Sequence, residues 1–379
     1  PLAGMVIQPI VGMFSDGTWT RFGRRIPYIL GGALISTIAL MLMPNCPTLL
    51  ALAPLAMGAF ILLFMDLSFN VTMQPFRALV ADMLDDSQKT EGYVVQTFLI
   101  NIGAVVGAVL PLIMTWFGVS DEAVPGQVSS HIAWSYYIGG AILLATVLVT
   151  AFKTKEYPPE KFAEYNGLAE AEGPAEKTGF MTLLRNTPSA MIRLGITQFF
   201  SWAALFIMWT YLKPAITGSV TAGGVLLSEG ETQTWVGVLN GVYPIPACIA
   251  ALFMTKLATR FGNKRVYATC LLFGVLGFAG LCLLKDKYAL MIPMLGIGIA
   301  WAGILAMPYA ILSRTVDPKR MGVYMGIFNF TITIPQIVIG LTGGVIVKYC
   351  FGSNAVMMLA LACVFMLLAA VSVAFIREN

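Results

Sequence analysis

The sequence predicts an all-α polytopic membrane protein built from two helical bundles. Three observations predict it. Apolar residues make up 58% of the 379-residue chain and charged residues only 11%, against about 25% charged in a soluble domain. Ten apolar stretches approach or exceed the length that crosses a bilayer core of about 30 Å. The two halves carry matching landmarks at a nearly constant offset. Such a composition excludes a soluble enzyme, a secreted disulfide scaffold and a nucleic-acid-binding domain.

The remaining counts agree. A net charge of +4 is too weak to indicate a polyanionic partner. Cys46, Cys248, Cys270, Cys282, Cys350 and Cys363 form no C-x-x-C pair and read as small core hydrophobes. The single histidine, His131, leaves no His-based metal site, so no metal is expected. No Walker-type phosphate loop occurs.

In chain order the spans read 26–43, 49–78, 92–115, 133–151, 190–213, 233–255, 266–284, 289–312, 322–347 and 353–375. The stub from Pro1 to Phe14 reads as the end of a further span. It is short of the roughly 20 residues a crossing needs, and it lacks the basic start of a signal peptide. Turn residues such as Pro44-Asn45-Cys46-Pro47 separate the spans. Of 23 Lys and Arg, eighteen fall in one alternating set of loops, from Arg21 to Arg377. Four (Lys213, Lys285, Lys287 and Lys348) fall in the other, and Arg77 lies within a span. The positive-inside rule puts the basic loops and the C-terminus in the cytoplasm.

A polar stretch at 152–189 reads as a cytoplasmic linker between bundles at 1–151 and 190–379. The bundles echo each other. Residues 20–28 read TRFGRRIPY and residues 259–267 read TRFGNKRVY, offset by 239. Pro75-Phe76 with Asn101 is matched by Pro308-Tyr309 with Asn329. Chance matches do not keep register, so the halves read as a duplication. The offset places about fifty residues, including one whole span, ahead of Pro1. The shortened chain alone is expected not to transport.

These landmarks resemble the major facilitator superfamily. Gly12 followed by Asp16-Gly17-Thr18-Trp19-Thr20-Arg21-Phe22-Gly23-Arg24-Arg25 is similar to that superfamily's loop between spans two and three. Its echo at Lys256 to Arg265 lacks the acidic residue. Gln8-Pro9 ahead of this loop, with Asp66-Leu67-Ser68-Phe69-Asn70 and Gln74-Pro75-Phe76-Arg77 in the fourth span, resembles the glycoside–pentoside–hexuronide group. Its sucrose- and maltose-type proton symporters are the nearest pattern. The resemblance implies a major facilitator fold of two six-helix bundles, here lacking the first helix and part of the second. It also implies alternating access, with Asp66 as the proton-coupling residue and a sugar as the substrate. Sodium-using relatives carry carboxylates in the second span, and Pro1 to Phe14 has none, which favours the proton. No other cofactor is expected.

Independently of any resemblance, a charge inside a span is costly and marks function. Asp66 is the only carboxylate well inside one. Asp66, Asn70, Gln74 and Arg77 share one helical stripe, at spacings of 4, 4 and 3. The stripe is expected to face the interior or a cavity. A desolvated Asp66 could exchange a proton near neutral pH, or it could be a structural residue bonded to a neighbouring helix. Arg77 could tune Asp66, contact hydroxyls, pair with Asp82 or snorkel.

Asp16, Arg21, Arg24, Arg25 and Asp82 are expected to form a cytoplasmic gate. In it Arg24 and Arg25 anchor to lipid phosphates, and Asp16 caps the next helix or pairs with an arginine. Substrate contacts are expected from Asn70, Gln74, Asn101, Gln198, Trp202, Asn240, Asn329 and Gln336, with helix gluing as the alternative. Trp209 joins the Gln198–Trp202 face nearer the outer interface, and Thr333 joins Asn329 and Gln336. Gly4, Gly12, Gly103 and Gly107 are expected to permit close helix contacts. Pro244, Pro246, Pro308 and Pro335 are expected to interrupt spans.

The expected function is proton-coupled import of a disaccharide glucoside by a monomer in the cytoplasmic (inner) membrane. A same-fold exporter and a transporter-like sensor without flux remain alternatives. With no nucleophile–base pair and no metal cluster, enzymatic activity is not expected.

Overall fold

The computed structural model describes residues 2–49, 53–120, 122, 127–165, 180–217 and 219–376. Lys177, Arg377 and the linker from 166 to 179 lie outside them. The described chain is almost entirely helical, because a lipid-embedded backbone must satisfy its own hydrogen bonds. The elements run α1 (Leu2–Gly17), α2 (Ile26–Leu42), α3 (Cys46–Leu49), α4 (Pro54–Met83), α5 (Lys89–Trp116), α6 (Ser130–Lys153), α7 (Pro159–Tyr165) and α8 (Phe180–Arg185). Then follow α9 (Ser189–Ile216), a hairpin β1 (Thr221–Ala222) and β2 (Val225–Leu226), α10 (Glu229–Val242), α11 (Pro244–Phe261), α12 (Asn263–Leu283), α13 (Met291–Leu312), α14 (Met321–Phe328), α15 (Phe330–Val345) and α16 (Val356–Ser372).

Among the described residues ten helical stretches are long and apolar enough to cross a membrane, and they correspond to the ten sequence spans within a few residues. Helix α1 runs on through Ser15 and Asp16 to Gly17, past the stop expected at Ser15. Proline opens α4 at Pro54 and α11 at Pro244, where its missing N–H is unneeded. The interruptions fall at two places. The chain breaks at Tyr243 between α10 and α11, and at Asn329 between α14 and α15. Pro308 and Pro335 lie inside α13 and α15.

The helices pack in two groups. In the first, α2 lies between α4 and α6, and α1 rests on α4. In the second, α12 lies between α13 and α16, and α9 touches α13, α15 and α16. Two seams join the groups: α1 against α14 and α15, and α5 against α11 and α13. The first seam is backbone-close. Gly12 of α1 faces Gly322 of α14, and Gly326 faces Pro9. Gly103 and Gly107 differ from expectation, because nothing approaches within 4 Å of a Cβ placed on either. Their stretch of α5 is solvent- or lipid-exposed, together with Leu99 and Val106.

The core is lopsided for a related reason. Helices α9 and α13 are mostly buried, whereas little of α4, α5 and α6 is. In the second group α9 covers its neighbours. In the first, no described element occupies the corresponding place.

A methyl group on Gly12 would fall on the Gly322 carbonyl. Gly12→Ala is therefore expected to cost about 1–3 kcal/mol, as overpacking does, and to lower the Tm in detergent. Gly103→Ala, in open space, should leave the Tm unchanged or raise it. Equal effects of the two would show that the seam is not closely packed.

Candidate functional site: a polar interior with a charged latch

The end of the molecule that carries the basic loops is closed by charge. Arg25 sits just before α2 and is fully buried. Its Nη2 lies 2.6 Å from Asp16 of α1, and its Nε lies 2.8 Å from Asp82 of α4. Its Nη1 donates to Ser15 Oγ at 2.6 Å. Burial alone would lower the Arg25 pKa, but the carboxylates of Asp82 and Asp16 more than offset it, so the pKa is raised. Asp16 also reaches the other group. Its two oxygens accept the backbone N–H groups of Gly322 (2.9 Å) and Val323 (2.8 Å) at the start of α14. A carboxylate there satisfies orphan donors and favours the helix dipole. Arg24 pairs with Asp82 at 2.8 Å and stacks 4.1 Å from the Phe162 ring centroid in α7.

The gate thus differs in detail from expectation. Arg25 cannot anchor to lipid phosphates, because the ion pairs bury it. Asp16 caps α14 across the seam and not α2. Arg21 stays outside: it is exposed, and its guanidinium lies over Phe22 at 4.7 Å.

The cap of α2 is a residue that sequence reasoning missed. Glu156, just after α6, accepts the N–H groups of Arg24 (3.1 Å), Arg25 (2.8 Å) and Ile26 (2.9 Å). Gly23, at φ +102°, leaves no room for a side chain beside this carboxylate. The linker therefore clamps the gate loop. One glutamate in a run of solvated charges gave no signal in the sequence.

The second seam has its own polar contacts at the same end. Lys89, buried at the start of α5, donates to the Ser313 carbonyl (3.2 Å) at the end of α13 and pairs with Asp86 (2.6 Å). Thr90 Oγ1 accepts from Asn263 (3.1 Å) and from Arg314 (2.9 Å). Deeper in, the Arg77 guanidinium lies 4.4 Å over the Tyr309 ring, which also meets Tyr93 and Phe328. Among the described residues Arg77 makes no ion pair with Asp82, whose oxygens are taken by Arg24 and Arg25.

The α4 stripe forms as spaced. Asn70 Nδ2 donates to the Asp66 carbonyl (2.7 Å) and carboxylate (3.2 Å), and Gln8 of α1 donates to Asn70 Oδ1 at 2.7 Å. Gln74 donates to the Gly322 carbonyl across the seam, which makes it a seam contact. Asp66 itself is exposed, contrary to the desolvated setting expected of it.

Asn70 and Asn329 both crowd Gly4, where an added methyl would lie 2.8 Å from Asn70 Oδ1 and 2.9 Å from Asn329 Nδ2. Asn329, at the α14–α15 break, keeps a buried Nδ2 without a partner among the described residues. So do Gln74 Oε1, Gln96 Nε2, Asn101 Oδ1, Gln198 Nε2, Trp202 Nε1, Asn240 Oδ1 and Tyr309 OH. Each such orphan costs about 1–3 kcal/mol, and they come from both groups of helices. Six are on residues selected from the sequence. Gln96 and Tyr309 are additions.

Gln198 splits its role, since its Oε1 accepts from Tyr267 of α12 (3.2 Å) and from Ser201 (3.3 Å). It therefore points partly into the second core. Trp202 packs on Trp301 (5.5 Å) and Trp209 (6.2 Å), and Tyr243 at the α10–α11 break closes on Trp301 (6.2 Å). Trp301 was also missed, because alone in an apolar span it looks like core. Gln336 is half-buried, two turns beyond Asn329.

The arrangement is one of neutral amides, aromatic faces and a single carboxylate, closed at one end. A model of the MFS/sugar transport protein family matches residues 2–348. The chain belongs to this family. It is a multi-pass membrane protein and a sugar transporter of the major facilitator type. Among relatives, sucrose transport protein SUT5 of Oryza sativa subsp. indica is 24% identical over 91% of this chain and 73% of its own length. Sucrose transport protein SUC4 of Arabidopsis thaliana is 23% identical over 91% and 75%. The fold is similar to that of the E. coli fucose:proton symporter, with TM-score 0.69 at 13% identity over 99% of this chain and 92% of that one. A proton:xylose symporter gives TM-score 0.68 at 11% identity, over 100% and 85%.

For this transporter the latch makes a direct prediction. Removing one partner of a buried ion pair costs about 3–5 kcal/mol. In a Ser313→Cys background, where the reporter is buried at the closed seam, Asp16→Asn is expected to speed alkylation by a water-soluble maleimide about tenfold or more. Glu156→Gln should act in the same direction and more weakly. An unchanged rate in both would mean that the charges do not hold this end shut.

Proposed function

We propose that the protein imports a disaccharide glucoside together with a proton, by alternating access. The observation that carries this is Asp66, the one carboxylate well inside a span, bonded to Asn70 on a stripe that runs toward the latch. The family match and the sucrose-transporting relatives support a sugar as cargo, and the neutral amides suit hydroxyl groups. The basic loops and the C-terminus lie in the cytoplasm, and the membrane is the bacterial cytoplasmic membrane. The closed end is then cytoplasmic, and the described form faces outward. The protein acts as a monomer and takes no cofactor beyond the proton.

Coupling follows from the cost of burying charge. Rocking the halves over an ionised Asp66 takes a carboxylate into low dielectric. Protonation removes that cost, and a bound sugar supplies partners to the orphaned amides. A carrier that holds the sugar without the proton therefore turns over poorly. Trp202 and Trp301 offer faces for the C–H surface of a pyranose, while Asn70, Asn101, Asn240 and Asn329 offer hydrogen bonds.

The test is sugar-induced proton uptake by the full-length protein in membrane vesicles, with sucrose, maltose and a panel of other glycosides. One sugar is expected to raise external pH in the wild type. Asp66→Asn should abolish the pH change while leaving sugar exchange. Flux without a pH change, insensitive to Asp66→Asn, would leave a facilitator. No flux with any glycoside would sink the disaccharide reading and turn attention to export of another solute.

A further inference from the structure

The rim opposite the basic loops holds a cavity of about 350 Å³, lined by Leu227, Gly230, Glu231, Thr234, Trp235 and Lys287. None of the residues placed in the polar interior above lines it. Trp235 packs its ring against the core of the second group, while Glu231, four residues earlier on α10, is exposed. The cavity therefore opens at the edge of α10, at the end of the span where protein meets bilayer headgroups.

Its walls are fixed. The Thr221 N–H donates to the Lys285 carbonyl at 2.7 Å, and the Lys287 N–H donates back to the Thr221 carbonyl at 3.0 Å. Asp286 Oδ1 accepts from the N–H groups of Tyr288 and Ala289, both at 3.0 Å. These bonds hold the backbone on both sides of Lys287. Glu231 is held by a capping box, its Oε2 accepting the Ser228 N–H (2.9 Å) and hydroxyl (2.8 Å). Trp235 meets Tyr288 edge-on at 5.5 Å. The Lys287 Nζ lies 4.9 Å from the Tyr288 ring and 5.8 Å from the Trp235 ring. The Trp235 indole N–H is buried with no acceptor among the described residues.

An ammonium, an unpaired N–H donor and a carboxylate with one oxygen outside the cap thus share one small cavity. Glu231 opposes a simple anion and Lys287 opposes a simple cation. A molecule carrying both charges a few bonds apart satisfies both. Lying at the membrane rim, the site meets such molecules as lipid headgroups. We infer that this cavity binds the headgroup of phosphatidylethanolamine. Lys287 Nζ and Trp235 Nε1 donate to phosphate oxygens. The primary ammonium donates to the free Glu231 oxygen, a bond that a quaternary choline, with no N–H, cannot make.

The full chain, purified in detergent, would be offered phosphatidylethanolamine, phosphatidylcholine and phosphatidylglycerol with matched acyl chains. Retained lipid would be read by native mass spectrometry. Wild type is expected to prefer phosphatidylethanolamine about tenfold, the worth of one charge-assisted hydrogen bond. Glu231→Gln keeps a residue able to close the capping box and is expected to erase the preference over phosphatidylglycerol. Lys287→Met and Trp235→Phe should lower retention of all three lipids, with thermal unfolding confirming that each variant folds. Equal retention of the three lipids by wild type, or an unchanged preference in Glu231→Gln, would overturn the inference. Displacement of the lipid by sucrose would overturn it too, by making the cavity a carbohydrate site.

Discussion

The buried guanidinium of Arg25 is the constraint on which the rest of the structure leans. A cation with no exposed surface is tolerable only with its charge matched and its donors occupied. Asp16, Asp82 and Ser15 meet that demand, and in doing so they fix α1, α2 and α4 around one point. Asp16 has two oxygens, so the same carboxylate that neutralises Arg25 also caps α14. The latch between the halves is thus a by-product of burying one arginine. Opening it exposes the start of α14 and leaves Asp16 with one partner set.

The close approach of α1 and α14 serves the same geometry. Without side chains at Gly12 and Gly322 the two backbones come near enough for Asp16 to reach the α14 amides. Lys89 and Thr90 close the second seam by single hydrogen bonds to α12, the end of α13 and the turn after it, with no ion pair across it among the described residues. Between the seams, Arg77 over Tyr309 forms a floor beneath the amides. The two breaks in the second group, at Tyr243 and Asn329, sit beside the tryptophan cluster and beside Gly4. A helix interrupted there presents side chains that a continuous helix would direct elsewhere.

The two halves are unequally covered. Helix α9 buries its neighbours in the second group, and no described helix does so for α4, α5 and α6. Asp66 is exposed here, although its spacing with Asn70, Gln74 and Arg77 is as regular as the sequence implied. Its neighbours split in function. Asn70 crowds Gly4 together with Asn329, Gln74 serves the seam, and Arg77 stacks on an aromatic ring of the other half.

Helical character, the ten spans, the internal repeat and the identity of the polar residues inside spans were legible in the sequence alone. They follow from composition and from the 3.6-residue period, which are local properties. Partnership was not legible. Asp16 capping a helix 306 residues away, Glu156 capping α2, Gln198 reaching Tyr267 and Trp301 joining Trp202 all depend on which helix faces which. Period and composition place a residue on a face of its own helix, but only tertiary packing brings two faces together. A buried charge is settled there, because its energy depends on the partner within a few ångströms and not on its place in the chain.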